Sequence, residues 1–152
     1  MIPSSASLGK TMGKLAQQFG TVYPVIELGP GTGSTTKYLP KDTISVELDS
    51  MFYDHLRVNF PDRNIVNMDA IDYLSDLKNP VNIVSSIPLI NNPNAKKIRV
   101  LFADLRDQGK IHNLITFSYG RKSPLVDCGF KNGCKAKTVY WNFPPASVWH
   151  YW

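Results

Sequence analysis

One stretch limits the fold of this 152-residue chain more than any other: Val25-Ile26-Glu27-Leu28-Gly29-Pro30-Gly31-Thr32-Gly33. A short apolar run leads into glycines at every second position. Such a run, bounded by glycine, reads as a buried strand ending in a tight turn. Thr32–Leu39 reads as a short helix opening after it, stopped by Pro40. Glycine serves where a backbone turns sharply or approaches a ligand with no side chain between. A helix N-terminus just beyond offers unpaired N–H groups. Together these are the features of a nucleotide-type cofactor site at the carboxyl end of a strand.

Two more strand ends fit this reading. Thr43–Leu48 carries Glu47 at its end, followed by Asp49, and Asn64–Met68 runs into Asp69-Ala70. An acidic residue about 20 positions beyond the first glycines is where a ribose hydroxyl pair is held. Glycine and aspartate also end strands in ordinary turns. The order and spacing of the three ends favour the cofactor site.

Helical patterns alternate with these strands. Ser7–Phe19 places Leu8, Met12, Leu15, Ala16 and Phe19 on one face, with Ser4 or Ser5 as cap and Gly20 as stop. Met51–Phe60 places Met51, Phe52, His55, Leu56, Asn59 and Phe60 on one face. Ala70–Leu77 is a short helix or turn, Val81–Ile87 a fourth strand, Pro93–Gln108 a long helix and Ile111–Tyr119 a fifth strand. The alternation predicts an α/β domain with a mostly parallel sheet covered on both faces. After a loop over 120–133, Lys135–Asn142 and Ser147–Trp152 flank Phe143-Pro144-Pro145-Ala146 and read as an antiparallel hairpin. Trp141, Phe143, Trp149, Tyr151 and Trp152 in that hairpin read as core, with contact to lipid as the alternative.

Composition is that of one globular domain over residues 1–152, with 43% apolar and 19% charged residues. No window approaches the roughly 18 apolar residues of a membrane span. Met1–Ser5 lacks the basic-then-apolar order of a secretory signal. Cys128 and Cys134 match no common metal spacing and read as free thiols. The net charge of +5 suits an anionic partner, either nucleic acid or a membrane surface, and chooses neither.

Glu27-Leu28-Gly29-Pro30-Gly31-Thr32-Gly33 resembles motif I of class I S-adenosylmethionine-dependent methyltransferases. The resemblance implies a Rossmann-like, mostly parallel seven-stranded sheet with a C-terminal antiparallel hairpin. The spacing is not the Gly-x-Gly-x-x-Gly of dinucleotide dehydrogenases, which disfavours hydride transfer. Four smaller patterns resemble bacterial phospholipid N-methyltransferases: Pro3-Ser4-Ser5, Ser85-Ser86-Ile87-Pro88-Leu89, Thr116-Phe117-Ser118-Tyr119-Gly120 and Asn142-Phe143-Pro144-Pro145-Ala146. That family methylates the amine of phosphatidylethanolamine toward phosphatidylcholine. The chain is also similar to ribosomal RNA adenine dimethyltransferases, which share Glu47 and Asp69-Ala70. Those enzymes carry Asn-(Leu or Ile)-Pro-(Tyr or Phe) where this chain has Ser86-Ile87-Pro88-Leu89. Both the Asn that would hold an adenine amino group and the aromatic that would stack on the base are missing here. The lipid family's amphipathic helix before Pro-Ser-Ser is not in this sequence, and 120–133 is shortened.

The resemblance implies roles residue by residue. Gly29, Gly31, Thr32 and Gly33 let the backbone approach the amino-acid part of S-adenosylmethionine, with Glu27 near its ammonium. Glu47 accepts from both ribose hydroxyls, beside Leu48. Asp69 accepts from the adenine amino group, or else only caps the next helix. Met68 and Ala70 lie against the ring, and Ser85 lies at the methionine end. Tyr119 positions the amine as the candidate catalytic residue, or else merely packs at a strand end. Ser86, Pro88, Arg121, Lys122 and Asn142 are the candidate substrate contacts, the two cations for a lipid phosphate. The expectation is an N-methyltransferase acting on phosphatidylethanolamine, monomeric, without metal or nucleic acid, at the inner face of the cytoplasmic membrane. The alternatives are an RNA adenine N6-methyltransferase and a cofactor-binding module without turnover.

Overall fold

A computed structural model of the chain describes residues 6–90, 92–125, 130, 133–140 and 144–152. Ser4, Ser5, Cys128, Trp141, Asn142 and Phe143, named above, lie outside them, as does the side chain of Cys134. Five parallel strands come first along the chain: β1 (Val25–Leu28), β2 (Ile44–Glu47), β3 (Asn64–Asn67), β4 (Val81–Ser85) and β5 (Ile111–Tyr119). The hairpin strands β6 (Gly133–Val139) and β7 (Ala146–Tyr151) complete a seven-stranded sheet in the order β3-β2-β1-β4-β5-β7-β6. β7 is antiparallel to both neighbours. The topology reverses between β1 and β4, where an open α/β sheet leaves a crevice at its carboxyl edge.

The helices are α1 (Ala6–Ala16), α2 (Ser50–Asn59), α3 (Ala70–Ser75) and α4 (Ala95–Asp107). Strand alternation divides the core between two faces. Ile26, Leu28, Val46, Ile83 and Leu114 pack with Leu74 of α3 and Ile98, Phe102 and Leu105 of α4. Val25, Val84, Ile115, Phe117 and Val148 pack with Leu8, Met12 and Ala16 of α1. The hairpin aromatics are tied inward: the Trp149 indole N–H donates to Ser118 Oγ at 2.9 Å, and Tyr151 is buried beside Phe130. Trp152 is exposed.

The apolar face expected for α2 is narrower than its spacing suggested. Leu56 is buried, and Phe52 and Phe60 are half-buried, whereas Met51 and His55 are exposed. The helix expected over Thr32–Leu39 is corrected more deeply. The chain makes turns and then one 3-10 turn, Thr36–Tyr38. Its shorter bonds run three residues back, Tyr38 N–H donating to Thr35 O at 3.0 Å and Leu39 N–H to Thr36 O at 3.2 Å, with one long bond four back, from Lys37 N–H to Gly33 O at 3.5 Å. Two β-branched threonines oppose helix. Pro40 holds Leu39 extended at φ −83°, ψ 158°.

Candidate functional site

Three strand ends meet at the crevice. Gly29 N–H donates to Val46 O at 3.0 Å, fastening the start of the glycine turn to β2. The turn closes through Gly33 N–H on Pro30 O at 2.9 Å. Glu47, buried at the end of β2, accepts from Gly31 N–H through Oε2 and from Asp49 N–H through Oε1, both at 2.9 Å. A carboxylate offers about four lone-pair positions, so Glu47 keeps acceptor capacity on both oxygens. Asn67 Nδ2 donates to Glu47 O at 2.9 Å and Leu48 O at 3.1 Å, which ties the end of β2 to β3.

Two successive strand ends are built alike. Asp49 caps α2, its Oδ1 accepting from Met51 N–H at 2.8 Å and Phe52 N–H at 3.1 Å. Asp69 caps α3, its Oδ1 accepting from Ile71 N–H at 2.7 Å and Asp72 N–H at 3.4 Å. Asp69 is half-buried, and its Oδ2 takes no hydrogen bond among the described residues. A cleft of about 310 Å³ opens between these ends. Glu47, Asp49 and Asp69 are its acidic lining, with Val46, Leu48, Ala70 and Ile71 between them. Gly29 forms its base, and Ile87, Asn92, Asn94 and Ile98 form the opposite wall. No lysine or arginine is among its described lining.

The loop after β4 is held by Asn92, whose Nδ2 donates to Pro88 O at 3.1 Å and whose Oδ1 accepts from Asn94 N–H at 3.0 Å. Ser86, just past the carboxyl end of β4, is buried, and its Oγ has no partner among the described residues. A buried hydroxyl left unpaired is costly; Thr35, Thr43 and Thr116 have such hydroxyls too, and Ser86 is not among the described lining of the cleft.

No protein-family model matches the chain, and no curated protein matches it. Solved structures do. The 23S rRNA methyltransferase ErmE is 20% identical, over 93% of this chain and 66% of that one, with a TM-score of 0.65. TrmK of M. capricolum, in complex with its natural cofactor product S-adenosyl-homocysteine, is 11% identical over 93% of this chain and 66% of that one, with a TM-score of 0.67. The N-methyltransferase NodS from Bradyrhizobium japonicum WM9 is 9% identical over 94% and 92%, with a TM-score of 0.70. The chain has the Rossmann-like methyltransferase fold. It spans about two thirds of the length of the ErmE and TrmK structures. Nothing in these neighbours supports the phospholipid N-methyltransferase family.

Within this methyltransferase fold, the crevice brings together Gly29, Glu47, Leu48, Asp69 and Ala70 among the residues singled out from sequence. Met68 stands exposed next to Asp69, outside the lining. Glu27 is not in the cleft. Alternation along β1 turns it to the other face of the sheet from Leu28, where it is fully buried. There its carboxyl group accepts from Ser45 Oγ at 2.6 Å and from Thr36 Oγ1 at 2.9 and 3.0 Å. Burial raises its pKa from 4.5 to about 7, against the lowering effect of those bonds. Gly33 serves packing: a side chain there would overlap the Phe60 ring, and its φ is 88°. Gly31 faces open space, Thr32 is exposed, and neither lines the cleft.

The residues expected near the transferred methyl are more scattered. Ser85 is buried, its Oγ accepting from Ile87 N–H at 3.3 Å, and Pro88 is half-buried. Tyr119 does not line the cleft. It shares the α1 face with Phe117, against which its ring packs edge-on at 5.3 Å. Burial also raises its pKa, which works against a role as proton acceptor. Arg121 and Lys122 are exposed in the turn after β5, and Asn142 lies outside the described residues. Asn92, Asn94 and Ile98 escaped the sequence reading. The polar run Asn91-Asn92-Pro93-Asn94 was the available signal.

Proposed function

We propose that the chain is an S-adenosylmethionine-dependent N-methyltransferase. The observation that carries this is the acidic cleft at the switch point of the sheet, with no lysine or arginine among its described lining. A dinucleotide brings phosphates, which three acidic side chains repel. S-adenosylmethionine brings a sulfonium, an ammonium and a vicinal diol, which they suit. The remaining lone pairs of Glu47 would take the ribose hydroxyls, and Asp69 Oδ2 the adenine amino group. The exposed apolar side chains of Leu48, in the cleft lining, and of Met68, next to Asp69, would lie against the ring. Once bound, the sulfonium supplies an activated methyl group. The protein's part is then to align the acceptor nitrogen and exclude water. In this reading Ser86, just past the carboxyl end of β4, would help hold that nitrogen.

Two acceptors have separate support. RNA is supported by the neighbours, of which ErmE is a 23S rRNA methyltransferase. The amine of phosphatidylethanolamine is supported by the sequence patterns and by one feature of the loop after β4. Leu89, where RNA adenine enzymes have an aromatic, is 2% exposed and belongs to the core. It offers no stacking surface to a base, and the lipid reading needs none. With a lipid acceptor the enzyme would work on the membrane surface. Among the described residues no helix is long and apolar enough to cross a membrane.

The deciding experiment follows labelled methyl from S-adenosylmethionine into ribosomal RNA in one tube and into anionic liposomes containing phosphatidylethanolamine in another. Cofactor binding is measured separately by calorimetry. Label in RNA selects the first acceptor, and label in lipid the second. Absence of cofactor binding would overturn the proposal itself.

A further inference from the structure

The charges of this chain are segregated along the fold. Residues 1–41 and 108–152 carry ten Lys or Arg and two acidic residues, one of them the buried Glu27. Residues 42–107 carry seven Lys or Arg and ten acidic residues, the cleft carboxylates among them. The basic segments fold together, because α1 lies against β5, β6 and β7. On that side a groove of about 450 Å³ runs between α1 and the edge strand β6. Lys10 and Lys14, one helical turn apart, stand on one wall and Lys137 on the other. All three are exposed, and none pairs with a carboxylate among the described residues. Ser7, Thr11 and Gln18 add hydroxyl and amide groups, and no acidic or aromatic residue is among the groove's described lining.

Lysines on an edge strand alone would be explained as a guard against edge-to-edge pairing. That account does not reach the two lysines of α1. The groove also has a direction. The first half of α1 packs on the glycine turn, with Gly9 against the Ser34 backbone. Phe19, just past the helix, stacks on His150 near the end of β7, toward the opposite edge of the sheet. One end of the groove therefore opens beside the edge that holds the cofactor crevice.

We propose that this groove binds the phosphodiester backbone of a single RNA strand and guides it toward the crevice. The guiding role rests on the RNA reading above, whereas the binding itself does not. A concave, basic and polar channel tracks a phosphate backbone. A membrane-lying surface would instead combine its cations with exposed aromatic or aliphatic side chains. Here Leu15 and Ala136 are the apolar lining.

The test is fluorescence anisotropy of a labelled single-stranded oligoribonucleotide with the full chain, between 50 and 200 mM salt and without cofactor. A Lys10→Glu/Lys14→Glu/Lys137→Glu variant should bind at least about tenfold more weakly, with its salt slope lower by about 2. A charge-matched Arg57→Glu/Lys78→Glu/Lys97→Glu variant, changed on the other segments, should bind close to wild type. Glutamine replacements at the three groove lysines should lower the slope without charge reversal, which covers misfolding of the first variant. Equal losses in the groove and charge-matched variants would overturn the proposal, as would unchanged RNA binding in the groove variants. Loss of binding to phosphatidylglycerol vesicles with RNA binding intact would overturn it in favour of a membrane surface. Groove-dependent RNA binding without methyl transfer to RNA would uphold the groove and sink the RNA acceptor. Methyl transfer to RNA at unchanged KM in the groove variants would do the reverse.

Discussion

Replacing Glu27 by glutamine should stabilise the fold above pH 7 and change little near pH 5. The side chain is fully buried, and the hydroxyls of Ser45 and Thr36 are its hydrogen-bond donors. Among the described residues no cation lies within bonding distance. Arg63, which favours the carboxylate from further off, spends its guanidinium on Leu39 O at 2.8 Å and Pro40 O at 2.7 Å. Burial therefore dominates and raises the pKa from 4.5 to about 7. The unfolded chain releases this proton near pH 4.5, and the folded chain holds it to about pH 7. The associated stability is full below the first value, falls between the two, and is lost above the second. A gap of about 2.5 pH units at 1.36 kcal/mol each amounts to about 3 kcal/mol. For a domain of this length that corresponds to roughly 6–12 °C in Tm. Melting curves followed by circular dichroism at pH 5, 6, 7 and 8 would read it. Glutamine is neutral throughout and satisfies the same hydroxyls, so the two proteins should melt together at pH 5 and diverge upward. Parallel curves would refute the reasoning and show Glu27 ionised in the fold. A Glu27→Leu variant should melt lower at every pH, because it strands two buried hydroxyls.

The other predictions concern the turn and the cleft. Gly33→Ala should cost about 2–4 kcal/mol in urea denaturation, from overlap with Phe60 added to a positive φ. Gly31→Ala, at φ 57° in open space, should cost about 1–2 kcal/mol, and equal losses would show that the Phe60 contact is not limiting. Glu47→Ala frees the N–H groups of Gly31 and Asp49. It should lower stability by about 2–3 kcal/mol and S-adenosylmethionine affinity by at least about tenfold, read by calorimetry. Asp69→Asn keeps the cap of α3 and should leave stability nearly unchanged while weakening cofactor binding. Asp69→Ala should lose about 1 kcal/mol of stability in addition.

The order of elements was legible because each strand is a short apolar run closed by glycine, proline or aspartate. The Ile111–Tyr119 strand matches to the residue, and the hairpin falls within a few residues of its expected bounds. The segment after the glycine turn was not legible. A strand-turn-helix pattern is common there, and the competing effects of Thr35, Thr36 and Pro40 are individually small. In the site, Glu47 and Asp69 stood out because carboxylates at strand ends face the crevice whichever way the strand twists. Glu27 lies one position inside a strand end, where alternation decides the face, and Tyr119, the last residue of its strand, follows Phe117 onto the α1 face. The glycine pattern gives no phase for that alternation. The wall of Asn92 and Asn94 is assembled by side-chain bonds within a loop, which leave no periodic trace.

The missing helix changes how the turn must work. A helix N-terminus would have supplied free N–H groups and a favourable dipole for an anion. Here Gly29 N–H is spent on β2, Gly31 N–H on Glu47 and Gly33 N–H on Pro30. The turn is held instead between two carboxyl groups on opposite sides. Glu47 grips it at the cleft, while Glu27 sits beneath it and secures the following 3-10 turn through Thr36. A turn with its three glycine amides occupied, next to Asp49 and Asp69, has little to offer a phosphate. It has much to offer a cation that carries hydroxyl groups. The same departure from the expected helix therefore argues for a sulfonium cofactor over a dinucleotide, independently of the spacing of the glycines.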